Sequence, residues 1–179
     1  YVIQNAPLRT PWLRNYVGWH RTRLDESAMQ AALEVLIGTH DFRSFESEWP
    51  NKATSVRTIY EAKVWRTEGW RGWHTEGGSG KGEGGSANRI SLPPSPEFLC
   101  IDLTADGFLY NMVRAIVGTL IHVGRGNWTP DDVRRILDSQ SRAEAGETAP
   151  PQGLYLVHCD YEIDAARIQT RTLSRYDPS

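Results

Sequence analysis

Apolar residues recur along this chain with two periods. Met29, Ala32, Leu33 and Leu36 fall at i, i+3, i+4 and i+7, which predicts a helix with one buried stripe. Asp25 stands where its N-cap belongs, Leu24 and Met29 where a hydrophobic staple would close, and Gly38 where a C′ glycine would end it. A second helix is expected over residues 108–123, where Phe108, Leu109, Met112, Val113, Ile116, Val117, Leu120, Ile121 and Val123 cover most of the circumference at 100° per residue. A third begins at Thr129, with Pro130 at N1, Asp132 at N3, and Val133, Ile136 and Leu137 as its stripe. Runs rich in β-branched and aromatic residues predict strands at 1–4, 54–67, 97–104 and 154–161. Between the first two helices, residues 38–45 read as a compact turn anchored by Phe42 and Phe45, with Asp41 able to bond nearby backbone N–H groups. The order β-α-β-β-α-α-β, with the two middle strands joined directly, predicts an α+β fold: an antiparallel sheet with helices packed on one face.

Between the two long strands, residues 68–96 form a Gly/Ser/Pro-rich stretch too long and too glycine-rich to pack, read as a flexible insertion. Its formal GxGxxG at Gly80, Gly82 and Gly85 has no βαβ unit around it and is rejected as a dinucleotide site. The expected domain is therefore 1–163 with this insertion, followed by a tail over 164–179. A net charge of −2 gives no global attraction to nucleic acid, so such a partner needs a local basic surface. No apolar run approaches a membrane span, and the longest contains Arg114 and His122. Cys100 and Cys159 fit no metal spacing and suit two thiols in a reducing cytoplasm. The first residue is Tyr1, already inside a strand pattern, as expected of a portion of a longer protein.

Two features carry chemistry. The second helix leaves one non-apolar arc, made of Asn111, Arg114, Ala115, Gly118 and His122. A guanidinium there cannot shed its proton, and breaking a buried pair costs roughly 3–5 kcal/mol. It calls for a carboxylate in bidentate contact, and the helix supplies none. Asp41 and Asp102 are candidates within the chain; an arginine that snorkels to solvent is the plain alternative. Ala115 and Gly118 beside it leave room for another segment to approach. The other feature is a basic arm, Arg9, Arg14, Arg21 and Arg23, interleaved with Trp12, Tyr16, Trp19 and His20. Arginines among aromatics suit phosphates and bases, and a surface helix with inward aromatics is the alternative.

Three segments, GTHDFRSF (38–45), GFLYNMVRAIVGTLIHVG (107–124) and APPQGLYLVHCDY (149–161), resemble in order and spacing the tRNA pseudouridine synthase A family. The resemblance spans roughly residues 1–161 and covers the second half of the family's chain. It implies isomerisation of uridine to pseudouridine in the anticodon stem-loop of tRNA, without cofactor or metal, by a cytoplasmic homodimer. By that resemblance Arg114 pairs with a catalytic aspartate carried by the N-terminal half, whose motif does not occur here, so the chain alone is expected to be inactive. Leu154 matches a residue lining the uracil pocket, with Phe108 and Phe42 as further walls and Asp41 facing the site. Tyr1 aligns better with the second tyrosine of the family's Tyr-x-Tyr stretch than with the first, which stacks on the target base. Arg9, Arg14, Arg21 and Arg23 would hold the RNA backbone. The long glycine-rich insertion departs from the family pattern. Other readings are a non-catalytic RNA-binding module and an unrelated α+β interaction domain. A hydrolase built on His40-Asp41 or His158-Cys159 is disfavoured, because adjacent strand residues point to opposite faces.

Overall fold

In the computed structural model of the chain, residues 1–47, 54–68 and 97–160 are described; nearly all of the glycine-rich insertion and the whole 164–179 tail lie outside them. Strand β1 (Val2–Asn5) is buried along its length. Its alternation sorts it between two layers: Ile3 joins the main core and Val2 a smaller cluster on the opposite face. The same alternation runs along β5 (Phe98–Ala105), where Leu99 and Ile101 face the main core and Phe98 and Cys100 the other side. β1 and β5 are antiparallel, with Val2 opposite Cys100 and Ile3 opposite Leu99. β4 (Val56–Thr67) pairs antiparallel with β5, and β3 (Gly38–Asp41) with β4. A register shift between Ile59 and Glu61 leaves Tyr60 as the extra residue of a bulge. That bulge reverses the parity of β4, so Ile59 and Val64, five positions apart, both reach the main core.

The sheet order is β2-β1-β5-β4-β3, and β2 (Gly18–His20) runs parallel to β1. The sheet is therefore mixed, not antiparallel throughout as the hairpin pattern predicts. Two buried amides hold this unforeseen pair. The Gln4 side chain bonds the Leu8 carbonyl and both the N–H and hydroxyl of Thr10, turning the chain after β1 so that it re-enters in the same direction. Asn5 donates to the carbonyls of His20 and Thr22 and accepts from the Leu24 N–H, fixing the exit from β2. A three-residue strand is too short to announce itself by alternation.

Helix α1 (Glu26–Glu34) has the expected N-cap, with the Asp25 carboxylate accepting from the Ala28 N–H, but it ends at a Val35 C-cap, short of the Gly38 expected to close it. Helix α3 (Pro130–Ser139) carries the full capping box between Thr129 and Asp132. Helix α2 (Met112–Gly124) starts later than its apolar pattern suggests, because Asn111 is left-handed at φ 60°. The three helices share one core with Ile3, Ile59, Val64, Leu99 and Ile101, so they cover one face of the sheet.

Two local expectations differ from the structure. Residues 38–45 are not all turn: Gly38, at φ 109°, opens β3, and only Arg43–Phe45 make a 3-10 turn. Residues 154–160 form no strand: they join no ladder among the described residues, and Leu154, Leu156 and Val157 are exposed.

Candidate active site

Arg114 lies in the first turn of α2 and is half-buried. Its Nε donates to the Ala149 carbonyl at 2.6 Å and its Nη1 to the Asn111 side-chain oxygen at 2.6 Å. Neither candidate acid is its partner: Asp41 pairs with Arg43 at 3.4 Å, and Asp102 accepts from the Trp65 indole N–H. Among the described residues no carboxylate lies within ion-pair distance of Arg114, and its Nη2 makes no hydrogen bond. No buried side-chain polar atom is left unsatisfied among those residues, so the idle edge of the guanidinium is open to solvent. Neutral acceptors orient this cation and leave its charge unneutralised.

The acceptor on residue 149 is held in place by small residues of α2. The segment 145–150 crosses the helix so closely that a Cβ on Gly118 would stand 1.7 Å from the Glu147 carbonyl oxygen, and one on Gly146 2.7 Å from the Thr119 nitrogen. The opening that Ala115 and Gly118 predict is thus filled by the chain's own strap. The Gly146 N–H bonds the Thr119 hydroxyl, and the Ala149 N–H bonds the Arg114 carbonyl. Arg142 donates to the carbonyls of Ala145 and Gly146 and to the Thr148 hydroxyl. Glu147 meets His122 at 2.9 Å, and His122 stacks on Trp128. The hydrogen bond from His122 holds the Glu147 carboxyl below its usual range.

Tyr1 sits on the same strap. Its ring fits a slot that two glycines keep open: a Cβ on Gly153 would come within 2.6 Å of the ring and one on Gly18 within 2.9 Å of the hydroxyl. The hydroxyl donates to the Pro150 carbonyl at 2.6 Å. Burial pushes the phenol up to about 12, and nearby Arg114 pulls the other way. Only 7 % exposed, Tyr1 has no free face on which a base could stack. Leu154, next to the slot, is 41 % exposed, and Phe108 is partly buried against the core. Phe42 is fully buried with Phe45, and Asp41 accepts from the Arg43 N–H to shape the turn behind it.

The arm between β1 and β2 exposes Leu8, Trp12 and Tyr16, with Trp19 partly covered. Arg9 donates to the Arg14 carbonyl, and Arg23 is ion-paired with Glu97 at 3.0 Å. Arg14 and Arg21 are exposed and have no ion pair among the described residues. Tyr155 ties the arm to the strap by donating its hydroxyl to the Tyr16 carbonyl. Tyr16, Tyr155, Gly153, Tyr1, Pro150, Ala149 and Arg114 therefore form one continuous run of contacts and chain. The sequence marks Arg114 and the arm. It places Asn111 on the same arc without giving it a role, and it does not mark the Ala149 carbonyl or Arg142, whose roles depend on a strap without periodicity.

Fold and site together define an α+β domain that offers a preorganised, charge-unmatched guanidinium at the edge of its main helix. Residues 32–162 match the sequence profile of the family described as tRNA pseudouridine synthase, and the chain belongs to that family. It is 38 % identical over 162 residues to tRNA pseudouridine synthase A of Thermoanaerobacter sp. (strain X514), covering 90 % of this chain and 54 % of the relative. It is 34 % identical over 161 residues to that of Coxiella burnetii (strain RSA 331 / Henzerling II), with 90 % and 51 % covered. It is also 38 % identical over 161 residues to tRNA pseudouridine synthase A 2 of Clostridium tetani, with 90 % and 54 % covered. The chain spans about half the length of the curated relatives it matches.

Proposed function

We propose that the complete protein isomerises uridine to pseudouridine in the anticodon stem-loop of tRNA, and that this chain supplies the half of the site that holds the catalytic carboxylate. One observation carries the reading: Arg114 is oriented by two neutral acceptors and has no acid partner among the described residues, within the segment that matches the family. Its open Nη2 edge receives an aspartate carried outside these 179 residues. A neighbouring guanidinium favours the charged form of that acid and fixes its direction for attack on the flipped-out nucleotide. The reaction breaks the N-glycosidic bond, turns the uracil and rejoins it through carbon. Leu154 and Phe108 provide apolar wall against escape of the detached base. Tyr1, Phe42 and Asp41 act from behind, as braces of the strap and of the turn.

The arm holds RNA. Arg14 and Arg21 meet phosphates, Arg9 supports them, and the exposed Trp12 and Tyr16 offer faces for bases. Arg23 contributes less, because it is paired with Glu97, a carboxylate it shares with Arg66. The protein works in the cytoplasm as a homodimer across which the tRNA lies, and its mass in solution checks the dimer. Among the described residues no helix is long and apolar enough to cross a membrane. The test is pseudouridine formation in an unmodified tRNA transcript. The complete protein is expected to modify a uridine of the anticodon arm and this chain alone none. Absence of pseudouridine with the complete protein would overturn the reading.

A further inference from the structure

We infer that Asn111 is a positioning residue: it locks the Arg114 guanidinium against the Ala149 strap so that one edge stays presented for the catalytic carboxylate. The inference rests on the reading of Arg114 given above and assigns a role to a residue outside that reading.

Asn111 is left-handed, at φ 60° and ψ 7°, immediately before α2. Gly, Asn and Asp tolerate that conformation best, and only two of them bring an acceptor. The Asn111 side-chain oxygen faces Arg114 Nη1 at 2.6 Å, while its Nδ2 donates to the Ser47 hydroxyl at 2.9 Å. Because Nη1 can only donate, the amide can face it only through oxygen, and Ser47 holds the other end. The backbone carbonyl of Asn111 accepts from the Ala115 N–H, joining the residue to the helix it precedes. Guanidinium donors are thus engaged on two sides, at Nε by the strap and at Nη1 by Asn111. An aspartate at this position would keep the backbone and the acceptor, yet its charge would neutralise Arg114 and repel the incoming acid. Asparagine satisfies conformation, acceptor and neutrality together. Among the described residues the Tyr1 phenol lies close enough to feel Arg114, and burial raises it to about 12; Glu147 of the strap is engaged with His122.

The test uses the complete protein with Asn111→Gly, Asn111→Asp and Arg114→Ala, measured by single-turnover pseudouridine formation across pH, tRNA binding and thermal unfolding. Asn111→Gly keeps the left-handed backbone and removes both the acceptor for Arg114 and the donor to Ser47. It is expected to lower the single-turnover rate on the order of a hundredfold, with tRNA affinity nearly unchanged and the melt still cooperative at a modestly lower temperature. Asn111→Asp is expected to move the acid limb of the rate profile to higher pH, because the added charge raises the pKa of the catalytic acid. A merely structural asparagine would leave the rate intact in every folded variant and the acid limb in place; that result overturns the inference. Arg114→Ala separates the two claims. If it is inactive while Asn111→Gly is normal, the positioning role alone fails; if it is active, the reading of the site fails first.

Discussion

At the scale of single residues, the chemistry depends on how a cation is held without being neutralised. Carbonyl and amide oxygens bond a guanidinium without cancelling its charge, so Arg114 keeps its full attraction for an acid while losing the freedom to swing. Replacing Arg114 by Lys is expected to lose activity almost as fully as Ala does. A lysine ammonium offers one point charge and cannot bond the strap, Asn111 and a carboxylate in the same planar geometry; turnover of an unmodified tRNA by the three proteins checks this. Tyr1→Phe removes only the hydroxyl bond to Pro150. Its expected effect is a loss of about 1 kcal/mol in denaturant unfolding, with binding of tRNA retained, since the ring is a brace and not a stacking face.

At the scale of elements, α2 and the strap act as one unit because Gly118 allows contact between their backbones. Gly118→Ala is expected to destabilise the protein by roughly 1–3 kcal/mol and to lower activity as well. The new methyl meets a carbonyl oxygen that cannot rotate away, so Ala149 and its grip on Arg114 must shift. Unfolding and turnover measured on the same preparation check both effects. Two cap carboxylates and one in the strap bear on the acid limit of stability. Bonds from Ser27 and Ala28 lower Asp25 below its usual 3.8, bonds from Thr129 do the same for Asp132, and the His122 bond lowers Glu147 below its usual 4.5. Folded-state values below unfolded ones mean the stabilisation is present above the unfolded range and lost as pH falls through the folded values. The unfolding temperature is therefore expected to hold steady near neutrality and to drop below about pH 4, as a pH series of melting curves would show. Much of this level is legible in the sequence. The Asp25 cap, the Thr129 box, the two long strands and the small residues beside Arg114 follow from period and cap chemistry alone. β2 is not, because three residues carry no period and its pairing rests on the long-range amides of Gln4 and Asn5. The strand expected at 154–161 does not form over its described residues 154–160, because alternation supplies the side chains of a strand and not its hydrogen-bonding partner.

At the scale of the whole molecule, a net charge of −2 leaves the proposed RNA binding to a local patch, and within the arm proposed for it the arginines differ in their surroundings. Charge reading alone ranks Arg9, Arg14, Arg21 and Arg23 equally; the fold does not, because Glu97 lies beside Arg23. Substituting Arg21 by Ala is expected to reduce the salt dependence of tRNA binding by about one phosphate contact, whereas Arg23→Ala is expected to change it less. Equal slopes for the two variants in a salt titration would remove the distinction. Legibility of the site follows the same division. Arg114 stands out because a cation in an apolar helix violates the local pattern, whereas Asn111 shares its arc with no role declared, and Ala149 and Arg142 take on roles only once the strap is laid over α2. The central claim, that an unmatched guanidinium in this half awaits the catalytic acid of the whole enzyme, is tested most directly by pseudouridine formation in the complete protein carrying Arg114→Ala. The expected result is tRNA bound with near-native affinity, a cooperative melt, and no pseudouridine formed; conversion of uridine at the unmodified protein's rate would contradict it.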